Sequence, residues 1–331
     1  MLILIKKIFH GLKYQISKII PDKLYLQTRY RRIVGEKLNL KNPRTFNEKL
    51  QWLKLYDRKP IYTTMVDKYA AKKYVADIIG KEHIIPALGV WNHFDEIDFD
   101  GLPNQFVLKC THDSASVVIC KDKQSLNQKA TKEKLERSLK RNYYFAGREW
   151  PYKNVKPRIL AEKYMEDESG SELKDYKIFC FNGEPRLIQV DYNRFSGHKR
   201  NLYDTDWNYL EMMLEYPADP SKQIPRPERL EDMLFMARKL SDGMIFARVD
   251  FYSKDEEIYF GEITFYPGSG IEKFVPENWD MELGNWIKLP GGGVILSIII
   301  FMLFRTQIPG FVQQRKEDSN GHCKNLWWSW E

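Results

Sequence analysis

Two stretches early in the chain, PRTFNEKLQWLKLYDR (43–58) and VDKYAAKKYVADII (66–79), repeat apolar residues at the three- and four-residue spacing of one helix face. Helices are predicted there. The period then shortens: HIIPALGVW reads as a short strand, and QFVLKCTHDSASVVICKD as two β-rich runs around a polar turn. A helical stretch at about 126–142 precedes the strand RILAEKYM. DYKIFCFNGEPRLIQVDYNRF reads as a hairpin turning on Asn182-Gly183, the dipeptide that tolerates positive φ at both turn positions. A helix near 228–241 leads to a last pair of strands, IFARVDFY and EIYFGEITFY, followed by Pro-Gly-Ser-Gly. Helices interleaved with hairpins predict an α+β protein with antiparallel sheets.

Composition changes this picture little. With 331 residues, 43% of them apolar, and a net charge of +7 from 52 bases and 45 acids, the chain is long enough for subdomains with real cores. Its charges are interspersed, which argues against nucleic acid as a partner. Cys110, Cys120, Cys180 and Cys323 lack metal-site spacing, so neither structural zinc nor a disulfide framework is expected, and a reducing cytoplasm is. The ends differ from the middle. Residues 1–20 interleave Lys with Ile, Leu and Phe, which suits an amphipathic helix lying on an anionic membrane or one packed on the core. From Gly291 the composition shifts to VILSIIIFMLF and a Trp-rich polar end, an apolar run too short for a bilayer about 30 Å thick. The expected division is therefore 1–20, a main domain 21–290, and an appended segment 291–331.

Charge inside apolar strands is the chemical signal. Lys109 stands in a strand followed by Asp113, Ser114 and Ser116, a unit that can fold over phosphates. Glu162 is isolated in ILAEKYM. Arg248 shares a strand face with Asp250, and Glu262 shares one with Thr264, because side chains alternate. A connecting loop of odd length sets both carboxylates on one side, and an even loop separates them. An odd loop is expected, giving a hard-oxygen Mg²⁺ site with Arg248 alongside.

These segments also occur in a familiar order. DKYAAKKYV, FVLKCTH, ILAEKY, ARVDFY and GEITFYPGSG follow the order of nucleotide and metal elements in the ATP-grasp superfamily, and the D-alanine–D-alanine ligase group has similar segments. More closely, RTFNEKLQWLKLYDR, LPNQFVLKCTHDS, KRNYYFAGREWPYKN, PRILAEKYMED, DYKIFCFNGEP and VDFYSKDEEIYFGEITFYPGSG resemble the TupA-like ATP-grasp family of capsule and teichuronopeptide clusters, over about residues 20–290.

The resemblance implies an ATP-grasp fold, two α+β subdomains gripping ATP between antiparallel sheets. It also implies ATP and Mg²⁺ as cofactors. Lys68 and Lys109, with Ser114 and Ser116, would hold phosphates, Glu162 would face the adenine amino group, and Lys163, Tyr164 and Met165 would form the adenine hinge. Asp250, Glu262 and Thr264 would ligate metal, and Arg248 would stabilise the transferred phosphoryl group. Two positions depart from the family pattern: Ala115-Ser116 stand where Gly-Gly is common, and Thr264 where the superfamily commonly has Asn. The implied activity joins a carboxylate-bearing saccharide or peptide to an amine through an acylphosphate, in surface polysaccharide biosynthesis in the cytoplasm, with peripheral membrane contact through residues 1–20. The alternatives are a glycosyltransferase, for which Asp204-Thr205-Asp206 supplies a DxD sequence, and a non-catalytic nucleotide-binding scaffold.

Overall fold

Thr45 opens the first predicted helix with a capping box, its hydroxyl taking the Glu48 N–H while the Glu48 carboxylate returns to the Thr45 N–H. In the computed structural model, which describes residues 14–114, 116–166, 174–192, 197–222 and 224–291, this helix (α2) spans Phe46–Tyr56. It follows α1, Asp22–Val34, which ends on Gly35 at φ 91. Residues 14–19 are helical too; the rest of the predicted N-terminal helix, 1–13, lies outside the described residues.

The stretch predicted as one helix over 66–79 is two, α3 (Ile61–Val66) and α4 (Ala70–Ile79). Asp67 divides them. Its backbone turns extended, and its Oδ1 accepts from the N–H groups of Tyr69 and Ala70 at 2.9 and 3.2 Å, capping α4. The break frees the Lys68 N–H, which donates to Thr111 O at 3.0 Å.

Two antiparallel sheets carry the rest. The first has the order β1–β4–β2–β3, built from Ala87–Trp91, Ile159–Lys163, Phe106–Cys110 and Val118–Cys120. Alternation sends Phe106, Leu108, Cys110, Ile159 and Ala161 to one face, where they meet Phe94 and Leu135, the latter from α5 (Gln128–Leu139). Val107, Lys109, Leu160 and Glu162 occupy the other face.

The second sheet has the order β10–β9–β5–β6–β7: Glu257–Thr264, Phe246–Lys254, Lys174–Phe181, Glu184–Tyr192 and Lys199–Tyr203. Ile178, Ile188 and Val249 fill its apolar face beside Cys180, whose Sγ lies 3.8 Å from Ala237 O of α6 (Leu230–Leu240). A short ladder of β8 (Met213–Leu214) with β11 (Phe274–Val275), and α7 (Asn278–Trp286), complete this unit. The chain divides into compact units Met1–Lys288 and Leu289–Glu331, and of the second only 289–291 fall among the described residues. The apolar run after Gly291 lies outside them. No helix among the described residues is long and apolar enough to cross a membrane.

The expected odd loop between the last two strands is a correction. Only Asp255 and Glu256 separate β9 from β10, both at positive φ (50 and 64). Continued without interruption, that register would set Asp250 against Gly261 and send Glu262 to the opposite face. A β-bulge intervenes: the pairing runs Phe251 with Phe260, then Asp250 with Glu262 and Arg248 with Thr264. The bulge supplies the parity that the loop does not.

Gly261 is suited to the bulge because a methyl there would lie 3.0 Å from Asp250 O and 3.2 Å from Tyr252 Cε2. We expect Gly261→Ala to lower stability by about 1–3 kcal/mol through that crowding. A thermal melt checks this, and an unchanged melting temperature would show that the bulge relaxes freely.

Candidate functional site

Cross-strand register lines up a polar belt on the open face of the second sheet. It runs from Glu262 and Thr264 on β10, through Arg248 and Asp250 on β9 and Asp175 and Lys177 on β5, to Gln189 and Asp191 on β6 and Arg200 on β7. At its centre Arg248 grips Asp250 with both arms, Nε to Oδ1 and Nη2 to Oδ2, each at 2.7 Å. The same Nη2 lies 3.3 Å from Glu262 Oε1 and 3.2 Å from Thr264 Oγ1, and Thr264 donates to Glu262 at 3.1 Å. Lys177 Nζ contacts Asp250 Oδ2 at 2.8 Å and also Asp175. Farther along, Arg200 Nε holds Asp191 Oδ1 at 2.7 Å and Nη1 reaches Glu272 at 3.5 Å.

The two carboxylates of the predicted metal set differ. Asp250 is 1% exposed, and burial pushes its carboxyl up against the opposing pull of Arg248 and Lys177. Glu262, with a side chain 39% exposed, would also be raised by burial, but Lys68, Arg248 and Lys177 hold it down at about 2. It therefore stays ionised near neutrality.

Lys68 joins this belt to the other sheet. Burial lowers its ammonium, opposed first by Glu262 and, more weakly, by Asp113 and Glu162, so it lies within the field of both sheets. Its Nζ donates to Asp113 O. On the first sheet Lys109 contacts Glu162, and Lys72, one turn after Lys68, reaches Glu162 Oε1 at 2.5 Å. Burial would raise Glu162, but Lys109 and Lys72 lower it. The structure thus places Glu162, expected to face an adenine amino group, between two ammonium groups.

The predicted phosphate loop folds back on itself. Ser116 Oγ donates to Asp113 Oδ1 at 2.5 Å and accepts the Cys110 N–H at 2.8 Å, so this hydroxyl is spent inside the loop. Ser114 is exposed, and its hydroxyl donates to Tyr143 OH at 3.0 Å. Ala115 lies outside the described residues. At the end of β4, Lys163 is exposed with its N–H on Pro86 O at 3.0 Å; past it, Tyr164 donates to Glu166 at 2.9 Å, and Met165 is half-buried.

Sequence reasoning missed Lys177, Lys72 and Lys54. Alternation in DYKIF could have flagged Lys177, since Asp175 and Lys177 share a face from which Tyr176 and Ile178 are excluded. Lys54 is fully buried and holds the Pro-Gly-Ser-Gly turn, with Nζ 2.8 Å from both Gly147 O and Ser269 O and 3.0 Å from Ser269 Oγ. Burial pushes it down to about 7 and raises neighbouring Glu149. Arg29 Nη1 reaches the same Ser269 Oγ at 2.9 Å.

Two carboxylates and a hydroxyl on one face form a hard-oxygen set that fits Mg²⁺, an ion commonly held by one or two carboxylates with phosphate and water completing its shell. Among the described residues no group of three or more His, Cys, Asp or Glu is gathered as a metal site, so the fit needs those outside oxygens. The DxD sequence does not add one. Asp204 spends its carboxylate on its own turn, accepting from Asp206 N, Asn208 N and Asn208 Nδ2 at 3.0, 2.8 and 2.8 Å.

Two α+β halves, each turning a lysine- and carboxylate-bearing sheet face toward a shared lysine, define a protein of the ATP-grasp class. The model of the TupA-like ATPgrasp family matches residues 48–288, and the chain belongs to that family. No curated protein matches the chain. Among solved structures it is similar to D-alanine–D-alanine ligase from Bacillus anthracis complexed with ATP, at 17% identity, a TM-score of 0.35, and coverage of 61% of this chain and 54% of that one. The corresponding ligase from Helicobacter pylori aligns at 15% identity and TM-score 0.37 over 74% and 69% of the two chains. N5-carboxyaminoimidazole synthetase from Staphylococcus aureus, complexed with ADP, aligns at 12% and 0.35 over 61% and 44%. The chain therefore spans about half of the first of these enzymes.

Proposed function

We propose that the protein is an ATP-dependent carboxylate–amine ligase acting in surface polysaccharide biosynthesis. The observation that carries the reading is the convergence of Asp250, Glu262 and Thr264 on Arg248, with Lys68 in the field of Glu262 and of Glu162, the partner of Lys109 on the other sheet. Lys68 and Lys109 would bind ATP phosphates, and Lys163 to Met165 would border the adenine. Mg²⁺ held by Asp250, Glu262 and Thr264 would neutralise charge on the β- and γ-phosphates. A carboxylate oxygen of the acceptor attacks the γ-phosphorus, the bond to the bridging oxygen breaks, and ADP leaves. Arg248 stabilises charge on the phosphoryl group in transit. An amine nitrogen then attacks the acyl carbon, phosphate departs, and the amine proton is lost. Activation as acylphosphate replaces hydroxide with a far better leaving group.

The test is Mg-ATP with uronates and amino acids, followed for ADP and phosphate. Release of AMP, or no turnover with any acid and amine pair, would remove this reading. Transfer from a sugar nucleotide without ATP would favour the glycosyltransferase. Within the site, we expect Lys109→Met to weaken ATP binding about tenfold, the cost of one charged phosphate contact. Nucleotide titration reads it, and unchanged affinity would take Lys109 out of the phosphate site.

Peripheral membrane contact is a second element of the reading. Ile16, Ile19 and Leu24 are 47%, 81% and 55% exposed beside Lys18 and Lys23, an apolar and basic surface suited to anionic lipid. Its neighbours are packed: Arg148 donates to Ser17 O and Ile20 O, which leaves the exposed side chains free for this proposed contact. We expect the full chain to bind phosphatidylglycerol vesicles in a salt-sensitive way, and Ile19→Glu to abolish it without altering the melt. Equal binding by the variant would exclude this surface.

A further inference from the structure

Five cations line a cavity of about 990 Å³ between α1 and α5. Arg29 and Arg32 come from α1, Lys134 and Arg137 from α5 and Arg141 from just past it, against a single carboxylate, Asp113, which already accepts from the hydroxyls of Ser116 and Ser138. Two of the five are spent on oxygens nearby: Arg29 donates to Ser269 Oγ at 2.9 Å and Lys134 to Val117 O at 2.7 Å. Arg32, Arg137 and Arg141 are exposed and make no ion pair among the described residues.

The same cavity has an apolar side. Tyr14, Ile16, Ile20, Leu24 and Phe145 line it, with Tyr14 meeting Phe145 edge to face at 6.0 Å and its hydroxyl accepting the Asn142 N–H at 2.9 Å. Along α1 the lining passes from Leu24 near the start to Arg32 near the end, about 12 Å at 1.5 Å per residue. Ile16 and Leu24 are also exposed, so the rim of the cavity is part of the apolar and basic surface suited to anionic lipid. Charge alone would suit a free anion, and apolar surface alone a neutral chain. The two together suit an amphiphile.

We propose that this cavity binds the anionic phosphate headgroup of a bilayer lipid, with Arg32, Arg137 and Arg141 on the phosphate and the first chain carbons against Ile16, Ile20, Leu24 and Phe145. The proposal rests on the membrane contact read above and adds a specific headgroup site to it. Guanidinium forks match phosphate oxygens with paired hydrogen bonds. A basic surface attracts any anionic membrane as diffuse charge, whereas a hollow with unpaired arginines and an apolar side takes up one molecule. The volume stands within the range of ordinary ligand pockets, about 300–1,000 Å³. Asp113 and Ser116 of the loop after Lys109 line the cavity too, so a bound lipid would set that loop beside the bilayer.

The experiment is calorimetric titration of the full chain with dihexanoyl phosphatidic acid, a lipid short enough to stay monomeric, alongside inorganic phosphate and dihexanoyl phosphatidylcholine. The expected result is one phosphatidic acid per chain, bound in a salt-sensitive way and at least about tenfold more tightly than inorganic phosphate, because its chain carbons leave water. Arg137→Ala/Arg141→Ala should lose at least about tenfold in that affinity, and its melt should be unchanged because both arginines are exposed. Absent binding of phosphatidic acid, equal binding by the double variant, or equal binding of phosphatidylcholine would overturn the proposal. Inorganic phosphate bound as tightly as the lipid would overturn it in favour of a free-anion site. The two membrane readings fail separately. Vesicle binding without uptake of the short-chain lipid removes the cavity site alone, and uptake of the short-chain lipid without vesicle binding removes the surface alone.

Discussion

Glu262→Gln should melt close to the wild-type protein while losing on the order of 10²-fold or more in ATP turnover, because phosphoryl transfer depends on positioning and electrostatics. Its side chain is partly exposed, and the glutamine oxygen can still accept from Thr264 and Arg248, so the packing survives. The charge does not. Glu262 is the carboxylate that Lys68, Arg248 and Lys177 hold ionised, and the one whose charge acts most strongly on Lys68. A melt and an ADP-release assay on one preparation separate the effects. Full turnover in the glutamine variant, or a chain that no longer folds, would make this carboxylate structural.

Asp250→Asn should behave in the opposite way, losing about 3–5 kcal/mol of stability, the usual result of stripping the partner from a buried charge. Arg248 spends two hydrogen bonds on Asp250 and Lys177 spends one, all beneath a residue only 1% exposed. Asparagine offers one oxygen and no charge to two cations whose side chains are only 11% exposed. The melting temperature should fall by on the order of 10 °C, given about 2–4 °C per kcal/mol for chains of this size. A variant that melts with the wild type would show that other anions compensate both cations, and would locate the charge balance of the belt elsewhere.

The contrast between these neighbours explains how far the sequence could be read. Side-chain alternation was enough to pair Arg248 with Asp250 and Glu262 with Thr264, because each pair lies within one strand. Whether the two pairs met was not local information. It depended on a bulge whose sole trace in the sequence is a glycine between Phe260 and Glu262, and a glycine in a strand can signal several things. Lys177 was hidden for a related reason: its partner Asp250 is on a strand 73 residues away. Lys72 looks like one more lysine on an amphipathic helix until Glu162 is brought to it, and Lys54 falls in a helix whose polar positions ordinarily face solvent. Ser116 misled in the other direction. A serine in a polar turn suits a phosphate, yet three residues from Asp113 it closed the turn on itself. The helix at 66–79 failed at Asp67, where capping competed successfully with continuation.

Arg148, 1% exposed, reaches out of the family segment to hold it shut. It donates to the carbonyls of Ser17 and Ile20, lies 3.0 Å from Asp22, and stacks 4.3 Å from the Tyr25 ring, all upstream of residue 48 where the family match begins. The stretch that evolution makes recognisable and the stretch that folds are therefore not the same. Trimming the chain to the recognisable part would leave the Arg148 guanidinium only the Phe145 carbonyl, at 3.5 Å, and take Arg29 from Ser269, so anyone dissecting this protein should keep residues 14–47 attached to the remainder.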